Sequence, residues 1–149
     1  MVKNLQVNSG KNINIDKLLF HNLVRSLKTE LNFEIASLII NFIPAKQILE
    51  INKEYLNHHY TTDIITFNYS GSHNLLDGEI FISKEDAGYN AKKFRIRLID
   101  EYFRLVIHGI LHLLDYDDQN KSAKLVMKRL ENKLVKTNKI KYLGKNRAK

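Results

Sequence analysis

Hydrophobic residues follow two periodicities along the chain, and each predicts a different kind of element. Apolar positions three or four residues apart predict helices at 16–32, 45–56, 97–114 and 119–135, with a shorter helix at 83–93. Runs rich in β-branched residues predict strands at 2–7, 35–43, 64–69 and 79–83. Strands interspersed with helices predict a single α+β domain, in which about five helices pack on a mixed sheet of about four strands.

Three of these segments carry further information about the layout of the domain. The strands at 64–69 and 79–83 are joined by a loop at 70–78 and are expected to pair antiparallel. The helix at 97–114 has apolar residues around most of its surface, which predicts that it is the central helix of the fold.

The composition narrows the possible classes of protein. With 149 residues, 44% of them hydrophobic, and only six glycines and one proline, the chain is expected to form one compact domain. It has no cysteine, which excludes disulfides, thiol nucleophiles and cysteine-ligated zinc, so that any metal must be held by histidines and carboxylates. We expect a cytoplasmic protein with no membrane partner, because the first residues lack a signal-peptide pattern and no apolar run is long enough for a membrane span.

The charge balance favours an anionic partner. The chain has 24 basic and 16 acidic residues, a formal charge of +8, and nucleic acid is the commonest partner of such proteins. Basic residues are dense after Lys133, and from about residue 136 we expect a mobile tail. A cluster at the junction of two predicted helices forms a candidate nucleic-acid-binding surface, although solvated helix ends have the same composition. This cluster comprises Lys92, Lys93, Arg95 and Arg97.

A histidine pair on the predicted central helix is the main candidate for chemistry. His108 and His112 are one helical turn apart, with Cβ atoms about 5–6 Å from each other, so both imidazoles can reach one ion. Two imidazoles in an apolar helix need polar partners, and three carboxylates follow within six residues. The pattern predicts a metal centre, although histidine pairs at this spacing also occur by chance.

Gly109 separates this segment from the zinc peptidases. It occupies the position at which their HExxH motif has the general-base glutamate, which argues against peptidase chemistry. Glycine in a helix costs about 1 kcal/mol relative to alanine. Its presence predicts that a strand or a ligand approaches the helix closely, or that the helix packs tightly against a neighbour.

The sequence around the histidines resembles a known family. Residues 108–118 read HGILHLLDYDD and resemble the H-G-x-L-H-L-x-G-Y-D-H signature of the bacterial YbeY family. Segments at 52–55, 62–67 and 78–80 resemble further family blocks in the same order, so the resemblance covers about residues 45–130. It implies a zinc-dependent endoribonuclease that cleaves single-stranded RNA in small-subunit ribosomal RNA maturation and quality control. The implied partners are ribosomal RNA and the small ribosomal subunit.

The chain departs from the signature at two positions near the histidines. Asp118 stands where the family has a third histidine ligand, so the implied zinc ligands are His108, His112 and Asp118, with one position open for water. Asp115 replaces a family glycine, and if the helix continued, Asp115 would lie on the histidine face. The family's glycine resembles a left-handed residue that ends a helix, which favours Asp118 as the ligand.

Other departures leave two further functions open. Leu56 replaces the basic residue that usually follows the tyrosine of the family's N-x-x-Y block, and His58 and His59 are expected to be exposed loop residues. No sequence feature identifies a general acid. A noncatalytic, metal-stabilised RNA- or ribosome-binding factor and a metal hydrolase of another substrate class are therefore the alternatives.

Overall fold

The computed structural model describes residues 1–72 and 74–147, with residues 140–147 described as backbone. Five helices and a four-stranded mixed sheet confirm the predicted single-domain α+β fold. In chain order the elements are β1 (Leu5–Ser9), α1 (Lys17–Leu31), β2 (Glu34–Ile43), α2 (Ala45–Leu56), β3 (Ile64–Asn68), β4 (Leu75–Ser83), α3 (Lys84–Phe94), α4 (Leu98–Leu113) and α5 (Lys121–Arg147).

The sheet has the strand order β1-β2-β4-β3 and two covered faces. β1 and β4 both pair parallel with β2, and β3 pairs antiparallel with β4, as predicted. Alternate residues of a strand face opposite sides of a sheet. Ile80 therefore faces α4 and the main core, whereas Ile65 packs with Ile48 of α2 in a second, smaller core.

Three element boundaries differ from those predicted. β4 begins at Leu75 rather than at residue 79, because β2 lies alongside and the Glu34 N–H donates to the Asn74 carbonyl at 2.8 Å. β1 begins at Leu5, directly after Asn4 adopts a positive φ of 66°. α5 continues to Arg147, well beyond residue 135. Mobility of the chain from about residue 136 stays a prediction.

The α4 helix is the central helix, as its apolar composition predicts. Val106, Ile107 and Ile110 are completely buried in it. The sheet packs closely on the same helix at Gly109, where a Cβ atom would lie 2.9 Å from Ile80 Cδ1. This confirms the close approach of a strand that the glycine predicted. Within the described part of the chain, no helix combines the length and apolar character needed to cross a membrane.

Replacing Gly78 with alanine is expected to cost more stability than replacing Gly109 with alanine. A Cβ on Gly78 would lie 2.7 Å from the Phe67 carbonyl oxygen, which belongs to the backbone of β3, and 2.9 Å from Leu113 Cδ2. We expect Gly78→Ala to lower the free energy of unfolding by about 1–3 kcal/mol. Gly109→Ala should cost less, because the atoms near it are side-chain ends and alanine raises helix propensity. Urea denaturation measures both changes, and equal losses would contradict this expectation.

Candidate metal centre

The two histidines of α4 converge on one point. His108 and His112 have ring centroids 4.6 Å apart, and their Nε2 atoms are separated by 3.1 Å. Two nitrogens bound to one tetrahedral ion at zinc–nitrogen distances lie about 3.3 Å apart. The donor atoms and their separation therefore fit a shared divalent ion.

Glu131 of α5 is hydrogen-bonded to His108 at Nδ1, the ring nitrogen opposite the one that faces His112. Its side chain is almost fully buried, and its Oε1 lies 2.5 Å from His108 Nδ1. The other carboxylate oxygen accepts hydrogen bonds from Lys128 Nζ at 3.2 Å and Arg104 Nη1 at 3.4 Å. Burial alone would raise the pKa of Glu131, but the hydrogen bond with His108 and the charge of Lys128 bring this pKa to about 2.

The surroundings of both rings suit metal ligands. An ionised Glu131 has no proton to donate, so His108 Nδ1–H is the donor in their hydrogen bond, and the opposite ring nitrogen, Nε2, lies on the side of His112. Burial, together with the neighbouring His108, lowers the pKa of His112. Metal binding requires neutral imidazoles.

α4 ends in a turn just before the carboxylates that follow the histidine pair in the sequence. Asp115 has a positive φ of 69°, and the Tyr116 N–H donates to the Leu111 carbonyl at 3.0 Å, as in a Schellman motif. The helix therefore ends where predicted, with Asp115 exposed on the turn. Asp118 lies beyond this turn and lines a cavity of about 190 Å³ together with His108 and Glu131.

The third metal ligand is not preassembled. In residues 1–72 and 74–147, no group of three His, Asp or Glu side chains is already close enough to hold an ion. The structure thus brings together two of the predicted ligands, His108 and His112, and places Asp118 on a cavity that His108 also lines.

The predicted basic surface lies beside the histidine cavity rather than in its lining. Lys92, Lys93 and Arg95 are exposed at the end of α3, and Arg97 forms a bidentate ion pair with Asp100 at the start of α4. The cations that line the histidine cavity are Arg104, Lys124 and Lys128.

Sequence reasoning missed Glu131 and Arg104. A detectable signal was present for Glu131, because this acidic residue stands at helical spacing within the buried stripe of Met127 and Leu134 on α5. Arg104 follows Glu101 at the i,i+3 spacing, and the two form an ion pair of 2.6 Å in which Glu101 is completely buried.

Asn52 of the N-x-x-Y segment lines a second cavity, of about 300 Å³. The buried Asn52 donates from Nδ2 to the Tyr60 carbonyl at 2.8 Å and so holds the loop that follows α2. Leu56 and His58 line this cavity, and the His58 ring stacks on Tyr60. His58 and His59 are exposed, as predicted.

The chain is similar to proteins of one known family. The family model described as Endoribonuclease YbeY matches residues 3–139. The chain is 37% identical over 116 residues to Endoribonuclease YbeY of Chlorobium limicola, covering 78% of this chain and 79% of the relative. It is 42% identical over 94 residues to the Bacteroides thetaiotaomicron protein of the same name, covering 63% and 68%.

A solved structure shares the fold. The solution structure of a Thermotoga maritima protein superposes with a TM-score of 0.66 at 24% sequence identity, covering 95% of this chain and 93% of that one. The chain is an α+β protein with a histidine pair on its central helix, and its endoribonuclease relatives make it a hydrolase. The chain belongs to the endoribonuclease YbeY family and is an RNA-cleaving enzyme. Members of this family are generally metal-dependent.

Proposed function

We propose that this endoribonuclease cleaves single-stranded ribosomal RNA of the small subunit during its maturation and quality control, using one zinc ion. The proposed zinc ligands are His108, His112 and Asp118. One observation carries the proposal: the two Nε2 atoms converge at 3.1 Å while an ionised, buried Glu131 holds the opposite nitrogen of His108. Such a carboxylate–histidine arrangement is typical of metal ligands.

The residues around the pair have separable tasks. Glu131 orients His108 and fixes its tautomer, and Asp118 would turn toward the histidines to complete the ligand set. A divalent metal bound there supplies Lewis-acid polarisation of the phosphodiester and activates water. Arg104, Lys124 and Lys128 line the same cavity and can neutralise the phosphate charge that grows in the transition state.

The choice of substrate rests on charge and on the family. RNA follows from the endoribonuclease family, and the net charge of +8 favours long anionic substrates. We further propose that the substrate is ribosomal RNA, that the partner is the small ribosomal subunit and that the enzyme acts in the cytoplasm. The motif resemblance supports the first two proposals, and the cysteine-free composition supports the third.

The choice between the two candidate carboxylates can be tested by metal analysis. We expect wild-type protein purified without added metal to contain one zinc per chain. Asp118→Ala should weaken zinc binding by at least about tenfold, because it removes a charged ligand. Asp115→Ala is the matched control, since Asp115 is an exposed carboxylate on the turn after α4. Chelator competition measures both affinities, and weaker binding in Asp115→Ala alone would show that Asp118 is not the ligand.

A further inference from the structure

An exposed aromatic ring lines a cavity that shares two residues with the cavity at His108. Phe94 is the last residue of α3, and 58% of its surface is exposed. The helix ends there because Arg95 adopts a positive φ of 56°, with its N–H directed to the carbonyls of Ala91 and Lys92. Phe94 therefore lies at a fixed turn, where it lines a cavity of about 230 Å³ together with Arg104 and Lys128.

This Phe94 cavity adjoins the cavity lined by His108 and Asp118. Arg104 and Lys128 line both cavities. The one carboxylate in the lining of the Phe94 cavity, Glu101, is completely buried and binds Arg104 through two hydrogen bonds of 2.8 and 2.6 Å. The side chains that the two cavities share are therefore both cations.

We propose that Phe94 is a stacking site for an unpaired base of the RNA substrate, adjacent to the nucleotide at the histidine pair. The proposal rests on the proposed function, since it takes the histidine cavity as the place of cleavage. Proteins that bind single strands combine a basic groove with aromatic side chains on which bases stack, and this stacking tolerates any base. Phe94 and the two cations shared by the adjoining cavities combine these two features.

The charges around Phe94 suit the backbone of a single strand. Lys92, Lys93 and Arg95 are all exposed on the same turn, and Lys93 Nζ lies 5.6 Å from the centre of the Phe94 ring. A base on the ring would bring its flanking phosphates within reach of these cations. The predicted basic cluster would then bind the phosphates that flank a base stacked on Phe94.

Steady-state cleavage of an unstructured RNA oligonucleotide by the zinc-loaded enzyme tests the proposal. We expect Phe94→Ala to raise KM about 5- to 100-fold, the range of a lost base–aromatic stack, with kcat within about twofold. Phe94→Tyr should retain the wild-type KM because it keeps an aromatic face. Tyr89→Ala is the matched control: Tyr89 is another exposed aromatic of α3, at 68% exposure, and it lines neither cavity.

A binding measurement separates this proposal from the proposed function. RNA that contains 2-aminopurine should lose fluorescence on binding the wild type and Phe94→Tyr, but not on binding Phe94→Ala. Unchanged KM and unchanged quenching in Phe94→Ala would overturn the stacking site while leaving the nuclease intact. If the wild type binds RNA without cleaving it, the proposed function fails and the quenching alone decides the role of Phe94. If Phe94→Ala does not fold, Phe94→Leu, which is apolar but not aromatic, gives the same decision.

Discussion

Replacing His112 with alanine is expected to abolish stoichiometric zinc binding and to lower the rate of RNA cleavage by at least about 1,000-fold. The reason is geometric, since His112 Nε2 is one of the two nitrogens that converge at 3.1 Å. His108→Ala should have the same effect, because it removes the other nitrogen. Single-turnover cleavage of RNA and elemental analysis of the purified variants measure both losses.

The control for this prediction is another histidine on the surface. His59→Ala removes an exposed imidazole from the loop after α2 and should leave zinc content and cleavage unchanged. Circular dichroism should show a native fold for His112→Ala, because the surrounding apolar residues of α4 remain packed. One zinc per chain and full cleavage in a folded His112→Ala variant would place the metal centre elsewhere.

The parts of the fold that were predictable are those set by local pattern. The helical period identified α4 as central, and the β-branched run at 35–43 identified β2. The start of β4 was not predictable in this way, because Leu75 and Leu76 pair with Glu34 and Ile35, which are distant in sequence. The hydrogen bonds to β2 extend the strand through residues 75–78, where Asp77 and Gly78 are typical of a loop.

The same limit applies to the metal centre. The histidine pair was predictable because its geometry is set within one helix, whereas the turn at Asp115 was predicted from the resemblance to a family glycine that ends a helix. The contact of Glu131 with His108 joins residues 23 positions apart and depends on how α5 docks on α4. Spacing along a single helix carries no information about that docking.

A buried polar network extends this contact through three helices. Asn90 of α3 donates to Asp63 and to Glu101, Glu101 binds Arg104, and Arg104 reaches Glu131. Buried charges are tolerated when each is paired and hydrogen-bonded. The orientation of His108 is therefore tied to the packing of α3, α4 and α5.

Glu131 should consequently affect both stability and metal binding. Glu131→Ala leaves Arg104 and Lys128 without a shared carboxylate and His108 Nδ1 without its acceptor. We expect the free energy of unfolding to fall by about 1–3 kcal/mol, because hydrogen bonds to a buried carboxylate are lost while Arg104 keeps its ion pair with Glu101 and Lys128 is exposed to solvent. Zinc affinity should fall about 10- to 100-fold, the usual cost of losing the group that orients a metal-binding histidine.

Glu131→Gln distinguishes the charge of this side chain from its shape. An amide oxygen can still accept the His108 Nδ1–H hydrogen bond, so Glu131→Gln should retain more stability and more zinc affinity than Glu131→Ala. Glu54→Ala removes an exposed carboxylate from α2 and should change stability by no more than about 0.5 kcal/mol. Urea denaturation of the metal-free proteins and chelator competition measure the two effects separately. If Glu131→Ala matched Glu54→Ala in both, α5 would not be holding His108, and the tautomer of that histidine would have to be fixed by the metal alone.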